Sequence, residues 1–264
     1  MKKLCYCLLI SCIISSSVFA QDKLIYQSKN LSKADTVLVF KPKQYAKRNL
    51  YPVIYLLHGY SGNYNQWNRI MNAQKYADEY GFIIVCPDGL FNSWYFNSPV
   101  KKDSQFEAFF FDELVPDINK KYKTDTSKIF ISGLSMGGHG ALYLFLQKPE
   151  LFLSAGSTSG VMDLKSSGDK YGISDLLGKP GDSDPAWYKY SVNGNIDKLA
   201  GTSKQIIFDC GTSDRFYLVN NDLRKKCDSL KINATYISQP GNHDQSYWAK
   251  SIRQHFDFFK TLIK

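Results

Sequence analysis

The sequence lacks several features that would place it at once. No Cys/His spacing along its 264 residues is of the kind that encloses zinc. No Gly-Lys-Ser/Thr follows a glycine-rich loop, which removes the usual phosphate cradle. There is no internal repeat and no low-complexity linker, so solenoids and tethered modules are excluded. Cysteine is scarce. Of six, Cys5, Cys7 and Cys12 fall in the first twelve residues, which leaves Cys86, Cys210 and Cys227 for the body of the chain. The expectation for these three is buried free thiols, with one disulfide plus a free thiol as the alternative. The longest apolar stretch, Leu4 to Val18, is too short for a comfortable membrane span.

That stretch reads instead as a signal peptide. A basic start, Met1-Lys2-Lys3, precedes it, and Val18-Phe19-Ala20 has the small-x-small form of a cleavage site. Residues 1–20 are expected to be removed on export, which leaves 21–264 as a single domain in the periplasm or outside the cell. The alternative is a lipoprotein anchored at Cys12, from Leu9-Ile10-Ser11-Cys12.

Composition suits an ordinary packed core, at 44% hydrophobic and 15% aromatic. The net charge is +9, but the basic residues are scattered and their runs short. A solvated surface facing acidic polymers accounts for that, and no nucleic-acid partner is expected.

Short apolar runs at Pro52–Leu57, Phe82–Cys86 and Lys128–Ser132 read as buried parallel strands, and strand-like runs continue at Phe152–Thr158, Gln205–Cys210 and Ala234–Ser238. Lys23–Ser28 and Thr36–Lys41 read as an N-terminal strand pair. Helical patterns occupy Gln66–Tyr80, Gln105–Lys121 (kinked or ended by Pro116), Met136–Gln147, Leu218–Leu230 and Gln245–Ile263. The alternation predicts an α/β fold, a mostly parallel sheet covered by helices. Val161–Ala200, rich in Gly, Asp, Ser and Pro, reads as an excursion from that sheet.

Gly133-Leu134-Ser135-Met136-Gly137 is a G-x-S-x-G pentapeptide between a strand and a helix, the setting of a nucleophile elbow. A serine hydroxyl needs a base. With four histidines, elimination is feasible. His58 precedes the serine, His139 lies in the helix after it, and His255 lies within the last helix. His243 falls in a loop after the last strand, where a base belongs. The acid should lie between serine and histidine; Asp214, in the loop after Gln205–Cys210, is preferred, and Asp209 within the strand is the runner-up. The backbone N–H groups of Met136 and of Tyr60, in His58-Gly59-Tyr60-Ser61-Gly62, are the expected oxyanion donors. Such a set performs two-step acyl transfer without metal or organic cofactor.

Together with Pro87-Asp88-Gly89, Ser93-Trp94-Tyr95, Cys210-Gly211-Thr212-Ser213-Asp214 and Gly241-Asn242-His243-Asp244, these motifs resemble the esterase branch of the α/β-hydrolases. That branch includes feruloyl and acetylxylan esterases, S-formylglutathione hydrolases and mycolyltransferases. The resemblance spans nearly the whole chain after residue 20. It implies an α/β-hydrolase fold with helices on both faces and an antiparallel N-terminal hairpin. It also implies the triad Ser135, Asp214 and His243 and an ester substrate, expected to be feruloyl or acetyl groups on polysaccharide, or short-chain esters. Acyl transfer and thioester hydrolysis are the alternatives within the branch; a non-catalytic carbohydrate-binding protein is the alternative outside it. His58, Trp94 and Tyr95 are the expected substrate contacts, with Phe91 and Phe96 in the same aromatic loop.

Overall fold

The computed structural model describes residues 21–45, 50–181 and 185–263. The expected signal peptide and Cys12 lie outside them.

Eight strands form one sheet: β1 (Gln21–Tyr26), β2 (Asp35–Phe40), β3 (Tyr51–Leu57), β4 (Ile83–Pro87), β5 (Thr124–Gly133), β6 (Ser154–Thr158), β7 (Gln205–Gly211) and β8 (Asn233–Gln239), in the order β1-β2-β4-β3-β5-β6-β7-β8. β1 pairs antiparallel with β2, and β2 with β4; every other pairing is parallel. This is the α/β-hydrolase fold, hairpin included.

The alternation of side chains along each strand feeds two cores, one per face. In β3, Val53, Tyr55 and Leu57 enter one core while Ile54 and Leu56 enter the other. The first core is covered by α3 (Phe106–Ala108), a π-helical turn (Phe109–Leu114), α4 (Val115–Lys121) and α5 (Met136–Gln147). The second is covered by α1 (Gln66–Met71), α2 (Ala73–Tyr80) and α9 (Gln245–Thr261). Along α9, Trp248, Ile252, Phe256 and Phe259 recur at helical spacing and are all buried. Each such side chain stabilises by roughly 1.5–3 kcal/mol relative to exposure.

Two helices differ from the sequence reading. Gln66–Tyr80 is broken at Asn72, whose left-handed backbone (φ 54°) ends α1 while its side chain accepts the Lys75 N–H to begin α2. Pro116 does not end its helix, which continues to Lys121. The π-helical turn immediately before α4 widens the backbone, so the missing N–H and the ring are accommodated in the first turn of α4.

The segment after β6 leaves the sheet, as expected. It carries α6 (Ile173–Leu177) and α7 (Pro185–Tyr190) and packs Ile173, Trp187, Val192 and Ile196 onto the first core. Then α8 (Tyr217–Ser229) follows β7. Cys86, Cys210 and Cys227 are buried free thiols, and burial pushes the first two well above the usual thiol range. Among the described residues, no helix is long and apolar enough to cross a membrane.

Candidate active site

Four parallel strands deliver the predicted site residues to one edge of the sheet. Tyr60 follows β3, Ser135 follows β5, Asp214 follows β7 and His243 follows β8. In an open parallel sheet this carboxyl edge is where ligands bind.

Ser135 sits between β5 and α5 with φ 53° and ψ −116°, a conformation forbidding to most side chains. Its surroundings enforce that strain. The Ser135 N–H donates to the Thr158 carbonyl (3.0 Å), and the Ser135 carbonyl accepts the His139 N–H (3.0 Å). The flanking glycines are required by close approach. A Cβ on Gly133 would collide with the Gly137 carbonyl, and one on Gly137 would collide with the Leu57 carbonyl.

His243 lies between the other two residues. Its Nδ1 is 2.9 Å from Asp214 Oδ2 and its Nε2 is 3.0 Å from Ser135 Oγ. A carboxylate accepts, so Nδ1 carries the proton and Nε2 presents its lone pair to the serine hydroxyl. Phe216 and Trp248 meet the imidazole edge-on, at 5.2 and 5.1 Å between ring centres, and restrict its rotation. Asp244 caps α9 by accepting the Tyr247 N–H, which anchors the loop just after the histidine.

Burial of Asp214 would by itself raise its pKa. The hydrogen bond and charge of His243, with the Phe216 N–H on Oδ1 (2.8 Å), outweigh it and hold the carboxyl below its ordinary value. The anionic partner of the histidine is thus kept ionised.

The two residues expected to supply oxyanion N–H groups lie on either side of Ser135: Met136 follows it in the chain, and Tyr60 lines the same pocket. As the first residue of α5, Met136 has no intrahelical acceptor for its N–H. Tyr60 lies in the turn after β3, and its residue lines the pocket that contains Ser135 and His243. The neighbouring Gly59 N–H is held by Gln66 Oε1 (2.8 Å), which fixes that turn.

The runner-up acid serves elsewhere. Asp209 accepts from His255 Nε2 (2.7 Å), Ser251 Oγ (2.7 Å) and Thr158 Oγ1 (2.8 Å), and Ser132 Oγ meets His255 Nδ1 at 2.8 Å. This second Ser–His–Asp set is fully buried.

The pocket holds about 210 Å³. Of the three expected substrate contacts, Trp94 lines it; His58 and Tyr95 do not. Tyr95 is packed against Gly89 and Gly140, and its hydroxyl donates to the His58 carbonyl (2.8 Å). His58 is buried, with Nδ1–H donating to the Gly59 carbonyl (2.7 Å) and Nε2 3.6 Å from Asp88 Oδ1. Both brace the backbone of the turn after β3 at His58 and Gly59. Phe91 is exposed and meets Tyr60 edge-on, while Phe96 is buried against Tyr190.

Sequence reasoning missed Tyr171, Arg215 and Phe216, which all line the pocket. Tyr171 comes from the excursion, where no motif marked it. Arg215 and Phe216 directly follow Asp214, and that adjacency was the available signal. Among the described residues, no group of three His, Cys, Asp or Glu is arranged to hold a metal ion.

The family model described as "Putative esterase" matches residues 28–259. The chain belongs to this esterase family. It is 28% identical over 269 residues to an acetyl esterase of Caldicellulosiruptor saccharolyticus, covering 90% of this chain and 97% of that one. It is 26% identical to an S-formylglutathione hydrolase of Arabidopsis thaliana, over 90% and 91% of the two chains. An endo-1,4-beta-xylanase/feruloyl esterase of Xylanibacter ruminicola is 29% identical across 79% of this chain and 31% of its own length. The fold matches a fluorophosphonate-binding serine hydrolase of Staphylococcus aureus with a TM-score of 0.79 at 20% identity, over 91% of this chain and 98% of that one. This esterase is a serine carboxylic-ester hydrolase.

Proposed function

We propose that Ser135, His243 and Asp214 act as the catalytic triad of an exported esterase that removes acetyl or feruloyl groups from polysaccharide, or cleaves short-chain esters. The observation that carries the triad is the unbroken chain of contacts from Asp214 Oδ2 through His243 to Ser135 Oγ, at 2.9 and 3.0 Å.

The reaction follows from that geometry. His243 Nε2 takes the Ser135 proton as Oγ attacks the ester carbonyl. The N–H groups of Tyr60 and Met136 receive the developing oxyanion, each donor contributing about 3 kcal/mol to the transition state. His243 then returns the proton to the departing alcohol, leaving an acyl-enzyme. Water, activated by the same nitrogen, releases the acid. Asp214 holds the tautomer and stabilises the imidazolium.

The acetyl esterase and the xylanase/feruloyl esterase among the relatives support the polysaccharide-ester reading. The Arabidopsis relative supports a second reading, hydrolysis of a glutathione thioester. Export rests on the leader-like residues 1–20, and residues 21–264 form one catalytic domain in this reading. The test is a panel of methyl ferulate, acetylated xylan, 4-nitrophenyl esters of rising chain length and S-formylglutathione, with wild type and Ser135→Ala. Release of ferulate or acetate that is lost in the variant supports the proposal. Turnover confined to S-formylglutathione supports the second reading, and activity that survives in Ser135→Ala removes the serine from the mechanism.

A further inference from the structure

Among the described residues, Arg215 is the one permanently charged side chain that lines the pocket around Ser135. It lies immediately after Asp214 yet forms no ion pair with any described residue. Asp214 is engaged with His243, and Asp175, across the excursion, is 3.9 Å from Lys101. The Arg215 guanidinium keeps neutral company among the described residues. Nη1 donates to the Tyr171 hydroxyl at 3.1 Å, and Cζ lies 5.8 Å from the centre of the Phe216 ring. The side chain is exposed, so the charge is reachable from solvent.

Tyr171 does not stand there by chance of a loose loop. It meets Tyr60 edge-on at 5.3 Å, and its carbonyl accepts the Trp94 indole N–H at 3.1 Å. Its backbone is left-handed (φ 62°) ahead of Gly172. The phenol therefore holds the guanidinium over the pocket without neutralising it. A planar fork with free donors, oriented by a neutral partner, is an arrangement that recognises a carboxylate.

We propose that Arg215 selects esters bearing a carboxylate near the scissile bond, with Tyr171 as its positioning residue. The inference rests on Ser135 being the nucleophile. The carboxylate could belong to either side of the ester, such as a dicarboxylic acyl group or an acidic alcohol. Two matched pairs separate these sources. 4-Nitrophenyl hemisuccinate and 4-nitrophenyl methyl succinate differ in charge on the acyl side. 4-Acetoxybenzoate and 4-acetoxybenzamide differ on the leaving-group side.

In the wild type, the carboxylate member of one pair should have the higher kcat/KM. The preference should shrink as sodium chloride is raised, because the arginine is solvent-exposed. Arg215→Gln should lower that within-pair ratio tenfold or more, chiefly through KM. Arg215→Lys, which keeps the charge but not the fork, should fall between. The ratio cancels any general loss of rate, and a second variant, Tyr171→Phe, reports on positioning without touching the charge; it should weaken the preference less than Arg215→Gln does. A within-pair ratio that Arg215→Gln leaves unchanged, or a preference for the neutral member in both pairs, overturns the proposal while leaving the serine esterase intact. Failure of the wild type to cleave any of the four esters removes both.

Discussion

Asp209 and Asp214 flank the end of β7, and each holds a different histidine. Asp209 takes His255 through Nε2 at 2.7 Å; Asp214 takes His243 through Nδ1 at 2.9 Å. Each histidine then reaches a serine, Ser132 at 2.8 Å and Ser135 at 3.0 Å. The residue types are the same and the surroundings are opposite. The first set is sealed between sheet and α9, whereas His243 and Ser135 face a pocket.

The two acids should therefore fail differently when changed to asparagine. Asp214→Asn should lower kcat for 4-nitrophenyl acetate by a factor on the order of 10⁴ with little change in thermal midpoint. Asp209→Asn breaks a buried hydrogen-bonded pair and should cost about 3 kcal/mol or more of stability. The protein that remains folded should keep most of its rate. Parallel unfolding curves and initial rates check both outcomes.

Gly137→Ala should disable the elbow. The added Cβ meets backbone, the Leu57 carbonyl, which cannot rotate away as a side chain would. The expected result is a kcat loss of at least about 100-fold, since misplacing a reacting group by an ångström has that effect. A destabilisation of roughly 1–3 kcal/mol should accompany it. Rates measured well below the unfolding midpoint separate the two effects.

His139 should make the fold acid-sensitive. Burial pushes its pKa down to about 4, and it donates from Nε2 to the Tyr190 carbonyl. Between about pH 6.5 and pH 4 the unfolded chain binds a proton that the folded chain does not. Stability must then fall as pH falls through that window, by on the order of 3 kcal/mol. Urea unfolding at pH 7, 5.5 and 4.5 should show this slope, and His139→Gln should flatten it.

Asp35 should act in the opposite direction. Burial, with the nearby Asp88 charge, raises its carboxyl well above the usual range. The folded chain retains a proton that the unfolded chain releases, so stability is lost as pH rises from the ordinary carboxylate pKa towards the raised one. Asp35→Asn keeps an acceptor for the Asp88 N–H, which Asp35 Oδ1 now takes at 3.1 Å. It should raise the thermal midpoint more at pH 8 than at pH 4.5.

The centre of the sheet was legible because β3 and β4 are apolar on both faces, a pattern that few other structures produce. That Ser135, Asp214 and His243 would be brought together was legible because a serine, an acid and a histidine at successive strand ends form a recognisable order, and only four histidines compete. The left-handed break at Asn72 and the π-helical turn before Pro116 were not, since both depend on how the helices seat against the sheet. Sequence points to Tyr95 and His58 as substrate contacts because an aromatic loop near a cleft looks the same whether its rings face outward or inward. Tight packing of Tyr95 against Gly89 and Gly140 turned it inward.

Tyr171 reaches the pocket from an excursion that contributes no strand to the sheet and none of the three residues Ser135, His243 and Asp214. The Ser135–His243–Asp214 contacts and at least one wall of their pocket are thus written in different stretches of chain. Pocket-facing positions such as Tyr171 can be varied while those contacts keep their registration on the strand ends. A scaffold arranged this way can change its diet without relearning its chemistry.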